Sequence, residues 1–102
     1  MDQFDVFVNP MAKSRKSYPY VCSLQNQLFE DMSSRIVAFV CSDESIAFDK
    51  ISVPIEIASK YYFVCLNVIA TIEKKRLEEF VTNVSEYREQ LLAAHDALFT
   101  GI

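Results

Sequence analysis

Few residues of this chain have the types and spacing that catalysis requires. His95 is the single histidine, and we expect it on the apolar face of a helix, where a packed or half-buried position is commoner than a role as catalytic base. The carboxylate pairs Glu30-Asp31 and Glu78-Glu79 are adjacent in sequence, which directs their side chains apart. Phosphate-binding loops rich in glycine need more than the one glycine present. The sequence therefore predicts a protein that acts by binding, with no catalytic residue and no cofactor.

The cysteines do not form a metal or disulfide pattern. Cys22, Cys41 and Cys65 are far apart, and each lies in an apolar stretch. An odd number of cysteines without Cys-x-x-Cys spacing argues against a disulfide framework and against a zinc site. We expect all three to be small buried side chains in strands, and we expect no metal site.

The single glycine is Gly101, the next-to-last residue, whereas a chain of this length usually has about seven glycines. Glycine permits positive φ and lets the backbone approach another surface closely. It is also the commonest residue just past the C-terminus of a helix. The ending Thr100-Gly101-Ile102 therefore has two interpretations: a tip that contacts a partner, or an ordinary helix end.

Length and composition are typical of one folded domain covering residues 1–102. Apolar residues make up 51% of the chain, which is enough for a core. The net charge of −4 argues against broad nucleic-acid binding. The N-terminus is acidic and does not resemble a secretory signal, and no apolar run approaches the ~18 residues of a membrane span. We expect a cytoplasmic protein without membrane contact.

Two small basic groups interrupt this acidic background. Lys13, Arg15 and Lys16 fall in a predicted loop, and the run 74–76 falls at a strand end. Both are more typical of solvated surface than of a binding site.

Strand-like runs come first in the chain and one helix comes last. The predicted strands are 4–8, 18–24, 35–41, 53–57 and 61–72. The last run is long enough to bend or to form two strands, and Pro19 and Pro54 favour a strand start or a sheet edge. A weak helical turn is predicted within 73–80. These elements predict an α+β fold with a mostly antiparallel sheet or partly open barrel.

The predicted C-terminal helix runs from Glu86 to about Phe99, with Ser85 as its N-cap. Its apolar face has helical spacing and contains the following side chains: Tyr87, Leu91, Ala94, His95 and Leu98. The expected core comprises Val37, Phe39, Phe63, Val64, Leu66, Leu91 and Leu98. The third and fifth strands are apolar on both faces. Their apolar surface is larger than one helix can easily cover. We therefore expect a symmetric homodimer.

Several stretches in a fixed order carry a resemblance to a known family. They are QFDVF at 3–7, YPYVCSLQNQL at 18–28 followed by SRIV at 34–37, VPIEI at 53–57, and the helix and Gly-Ile ending at 85–102. Together they cover most of the chain. In this order and with this ending, the chain resembles the CcdB-type toxins of bacterial toxin–antitoxin modules.

The resemblance implies a small SH3-like barrel with a long C-terminal helix, and a homodimer. It implies binding to the A subunit of DNA gyrase, which traps the cleaved-DNA complex, and neutralisation by a CcdA-like antitoxin with a flexible tail. From the resemblance we expect that the toxin alone does not bind nucleic acid directly. The family contacts gyrase through a terminal Trp-Gly-Ile, which corresponds here to Thr100, Gly101 and Ile102; Thr100 departs from the tryptophan.

Two other functions remain open at the level of sequence. One is a non-toxic CcdB-like protein that only binds antitoxin. The other is an endoribonuclease toxin of the MazF/Kid type, which shares the barrel and would need converging charged groups such as Arg15 or Arg35. The acidic balance and the Gly-Ile ending argue against the ribonuclease.

Overall fold

The computed structural model describes residues 2–25, 32–43 and 51–100. This part forms one curled antiparallel sheet of six strands, a half-barrel, with a C-terminal helix. The elements are β1 (Asp5–Val8), β2 (Tyr20–Ser23), β3 (Ser34–Cys41), β4 (Ser52–Ile57), β5 (Lys60–Glu73), β6 (Phe80–Asn83) and α1 (Arg88–Thr100). The spatial order is β4-β5-β3-β2-β1-β6. The predicted α+β fold is confirmed.

β3 lies at the centre of the sheet, between β2 and β5. Its side chains are buried continuously from Val37 to Cys41, as the unbroken apolar run predicts. A strand with neighbours on both sides and apolar cover on both faces needs no polar alternation. Ile36 is the exception, since it remains exposed.

β5 is a single long strand, and its pairing with β3 has one irregularity in register. Ala38 of β3 faces Ile69 of β5, but the next residue, Phe39, faces Cys65. This jump in register is a bulge-type irregularity, which bends a strand and increases its twist. The bend lets the long β5 pair with β4 at one end and with β3 along its length.

The prolines occupy the positions predicted for them, whereas one strand was not predicted. Pro54 lies in β4, an edge strand, and Pro19 directly precedes β2. β6 was missed because residues 80–83 are few and follow a charged segment. It forms by pairing with β1, with Val6 opposite Thr82. Of the predicted turn in 73–80, only a 3-10 turn at Lys74–Arg76 forms.

Two apolar clusters lie on opposite faces of the sheet. The helix-side core contains Val6, Cys22, Val40, Ile55, Val64, Leu66, Leu91 and Ala94, among others. The second cluster contains Phe7, Val21, Val37, Phe39, Ile72 and Leu77. Most of the expected core is buried, but Phe63 and Leu98 are only partly so. Phe63 lies near the β4–β5 hairpin and Leu98 near the helix end, where cover is thinner.

The start of the helix differs from the predicted cap. Ser85 makes no side-chain cap; it begins a 3-10 turn, Ser85–Tyr87, that leads into α1. Asn83 supplies the cap-like contact instead, because its Oδ1 accepts a hydrogen bond from the Ser85 backbone N–H at 2.9 Å. The Tyr87 hydroxyl accepts a hydrogen bond from the Glu56 N–H at 3.2 Å, which ties the helix entrance to β4.

Within the described ranges 2–25, 32–43 and 51–100, no helix is both long enough and apolar enough to span a membrane.

Candidate functional site

The predicted contact tail begins at the last residue of α1. Thr100 ends the helix, and Gly101 and Ile102 lie outside the described residues. The assignment of these three residues to partner binding therefore stays a prediction. The residue before these three, Phe99, is 59% exposed. A large aromatic side chain is therefore uncovered near the end of the helix.

An apolar groove of about 370 Å³ lies between α1 and the sheet, next to this helix end. Its walls include Ile36, Leu66, Ile69, Leu92, His95 and Phe99. Ile36 comes from β3, Leu66 and Ile69 from β5, and the other three from α1. We call this surface the helix–sheet groove.

The helix–sheet groove exposes more apolar surface than scattered single residues would. Ile69 is 44% and Leu92 39% exposed, and Ile36 and Phe99 are similarly uncovered. Contiguous apolar surface of this kind is typical of a site that contacts another protein. The groove runs along α1 as far as Phe99, the residue before Thr100.

His95 lies at the border of the apolar helix face rather than beneath it. Its ring is half-exposed, with Nδ1 3.5 Å from Oδ1 of Asp96. Its ring centroid is 4.7 Å from that of Phe99. The position agrees with the half-buried histidine expected from the sequence, since His95 packs against Phe99 and not into the core. Its surroundings are those of a groove wall.

Sequence reasoning named His95 and Leu66, but it did not identify the groove that they line. The helix part was visible, because Leu92, His95 and Phe99 follow the spacing i, i+3, i+7 of a second stripe on α1. The sheet part was not. Ile36 and Ile69 fall in strands predicted to be buried, and their exposure depends on which part of the sheet α1 covers.

The two basic groups of the sequence meet in space. Arg15 and Arg76 line one polar cleft of about 290 Å³, together with Glu78 and Glu79. Arg15 is held in place because its Nε donates a hydrogen bond to the backbone oxygen of Asn9 at 2.8 Å. Two glutamates beside two arginines balance the local charge. The cleft therefore lacks the excess of positive charge that phosphate binding favours.

Asn9 organises the loop that carries Arg15. It is fully buried, and its Nδ2 donates to Ser14 Oγ at 2.9 Å and to the Tyr18 carbonyl at 2.8 Å. Its Oδ1 accepts from the Met11 N–H at 2.9 Å. Buried amides are stable only when their polar atoms are satisfied in this way. In the sequence, Asn9 is visible only as the residue that follows the predicted strand 4–8.

Arg35 does not lie on a surface that a substrate can reach. It is 2% exposed, and its Nη1 donates hydrogen bonds to the carbonyl oxygens of Met32 and Ser34. Of the two arginines named as examples for the ribonuclease alternative, this one has a structural position within the sheet. Arg15 lies in the polar cleft.

The three thiols are free and buried in β2, β3 and β5, which confirms their predicted placement. Burial raises the pKa of Cys22 and of Cys41 to about 12. Across residues 2–25, 32–43 and 51–100, no three metal-binding side chains gather at one point.

Comparison with known proteins identifies the family. No curated protein matches the chain. A family model described as CcdB protein matches residues 3–101, and the antiparallel half-barrel with its C-terminal helix is the architecture that the resemblance predicts. Because the match spans nearly the whole chain, the protein belongs to the CcdB family, the toxins of toxin–antitoxin modules.

Proposed function

We propose that this protein binds the A subunit of DNA gyrase, traps the cleaved-DNA complex, and is neutralised by a CcdA-like antitoxin. Membership of the CcdB family supports the proposal. The observation that carries it is the exposed side chain of Phe99 near the end of α1, directly before Thr100 and the Gly-Ile ending. A binding surface at this end of the molecule is what a tail-mediated contact requires.

Each residue of the tail has a distinct role in this proposal. Gly101 lets the backbone approach the partner closely because it has no Cβ. Ile102 supplies apolar contact with the partner. Thr100 offers a methyl and a hydroxyl where relatives have tryptophan, a residue enriched among interface anchors. This substitution reduces the stacking area available to the partner.

We expect that Thr100→Trp strengthens binding to a gyrase of the kind that the tryptophan-bearing relatives attack. The indole restores a large anchoring surface, and a gain of about tenfold in Kd corresponds to ~1.4 kcal/mol. Isothermal titration against the purified A subunit measures it. Thr100→Val is the matched control, since it adds no stacking surface. Equal affinity of the two variants would contradict the role given to this position.

We further propose that the protein is a symmetric homodimer, assembled through the exposed apolar face that includes Ile36 and Ile69. A two-fold axis buries the same patch on both subunits. Each subunit contributes one tail, so one dimer carries two tails for the two A subunits of gyrase.

Light scattering at micromolar concentration is expected to give the mass of a dimer. Ile69→Glu should shift the mass toward the monomer, because it places a charge in the buried apolar patch. Tyr61→Glu is the control: Tyr61 is an exposed aromatic residue on β5 outside the groove, and its replacement should leave the dimer intact. A monomeric wild-type protein would contradict the proposal.

One pair of assays separates the proposed function from its alternatives. The purified protein is incubated with gyrase, ATP and supercoiled plasmid, and in parallel with RNA. We expect linear DNA after denaturation of gyrase and intact RNA. RNA cleavage would favour the MazF/Kid type, against which the burial of Arg35 already argues. Neither product, with antitoxin binding retained, would indicate the non-toxic protein.

A further inference from the structure

Two buried thiols lie in contact on neighbouring strands. The Sγ atoms of Cys41 and Cys65 are 3.3 Å apart, and both residues are fully buried and free. A disulfide bond is about 2.05 Å long. To form one, the two sulfur atoms need to approach each other by roughly 1 Å.

The register of the sheet places both thiols on the same face. Phe39 of β3 faces Cys65 of β5, and Cys41 follows Phe39 by two positions. Side chains two positions apart in a strand point to the same side. Cys41 and Cys65 are therefore diagonal neighbours on antiparallel strands, at the bend of β5.

The third thiol does not share this arrangement. Cys22 lies in β2, opposite Ala38, and belongs to the helix-side core. Its Sγ contacts the backbone oxygen of Ser23 at 3.8 Å. The chain therefore contains a thiol pair and a separate thiol of similar burial, which serves as an internal control.

We propose that Cys41 and Cys65 form a reversible intramolecular disulfide when a small-molecule disulfide such as oxidised glutathione is present. One cysteine thiolate attacks a sulfur of the small disulfide, forming a mixed disulfide and releasing one small thiolate. The other cysteine thiolate then attacks the protein sulfur of the mixed disulfide and releases the second. The pair loses two electrons and two protons, and the small disulfide is reduced to two thiols.

The bridge would join β3 to β5 where the ladder between them is irregular. Ladder pairing jumps between Ala38 and Phe39, so a covalent link beside this point compensates for the interruption. It also closes a long loop of chain, and closing such a loop restricts the unfolded state. The oxidised protein should therefore unfold at higher temperature than the reduced protein. Because both thiols are buried, exchange in the folded protein should be slow.

The test equilibrates the full-length protein in glutathione buffers of increasing oxidised fraction, followed by acid quenching and alkylation in denaturant. Intact mass then counts the free thiols. The reduced protein should carry three alkyl groups, one for each free cysteine, and the oxidised protein one. Peptide mapping should link the peptides containing Cys41 and Cys65.

Two variants make the result specific. Cys22→Ala should keep the bridge and the rise in Tm on oxidation, whereas Cys41→Ala should lose both. Three alkylated thiols at every glutathione ratio would overturn the proposal. A bridge to Cys22, or a product that stops at the glutathione adduct, would overturn it equally.

Discussion

Deleting Thr100, Gly101 and Ile102 is expected to abolish gyrase trapping while leaving the Tm nearly unchanged. The side chains that anchor α1 to the sheet are Leu91 and Ala94, both buried and both at least one helical turn before the deletion. The last turn of a helix has unsatisfied carbonyl groups and contributes little to stability. Linear DNA in the gyrase assay and thermal unfolding by circular dichroism measure the two effects.

Single substitutions at Gly101 give the matched comparison. Gly101→Glu adds a side chain and a negative charge where close approach is proposed, so it should reduce gyrase trapping to the level of the deletion. Gly101→Ala adds only a methyl group and should have a smaller effect. A deletion variant that still traps gyrase would move the site elsewhere. A deletion variant that unfolds would return the tail to the role of a helix end.

Leu91→Ala should destabilise the protein by about 2–5 kcal/mol, the usual cost of removing a buried leucine side chain. Leu91 is 1% exposed and packs in the helix-side core. This loss is a large part of the ~5–15 kcal/mol that holds a domain folded. Urea unfolding at one fixed protein concentration measures it, because the stability of a dimer depends on concentration.

The neighbouring residue supplies the control for this prediction. Leu92 has the same side chain but is 39% exposed, on the wall of the helix–sheet groove. Leu92→Ala should therefore change the free energy of unfolding by much less than Leu91→Ala. Equal effects of the two variants, or no effect of Leu91→Ala, would show that α1 does not pack on the sheet as described.

The sequence predicts most of the fold because its strong signals are local. Continuous apolar runs mark β3 and β5, and the spacing of Leu91 and Ala94 marks the buried face of α1. β6 escaped prediction because its four residues follow a charged segment and because its pairing with β1 joins segments that are far apart in the chain. The cap at the helix start was misassigned to Ser85 for a related reason: Asn83 makes that contact from the end of β6.

The candidate site likewise has one part that is visible in the sequence and one part that depends on the fold. The Gly-Ile ending is visible in the sequence, and its interpretation as a binding tail comes from the family resemblance. The groove beside it depends on register, because Ile36 and Ile69 are exposed only where α1 leaves the sheet uncovered. The polar cleft is equally non-local, since Arg15 lies in the loop between β1 and β2 and Arg76 in the 3-10 turn after β5, far apart in the sequence.

Titration of the purified A subunit of DNA gyrase with the full-length protein tests most directly whether this toxin acts through its C-terminal tip. Saturable binding is expected for the wild-type chain, with loss of binding for the variant lacking Thr100, Gly101 and Ile102 at unchanged Tm. Absence of binding by the wild-type protein, or equal binding by both proteins, would contradict the proposal that the C-terminal tip binds gyrase.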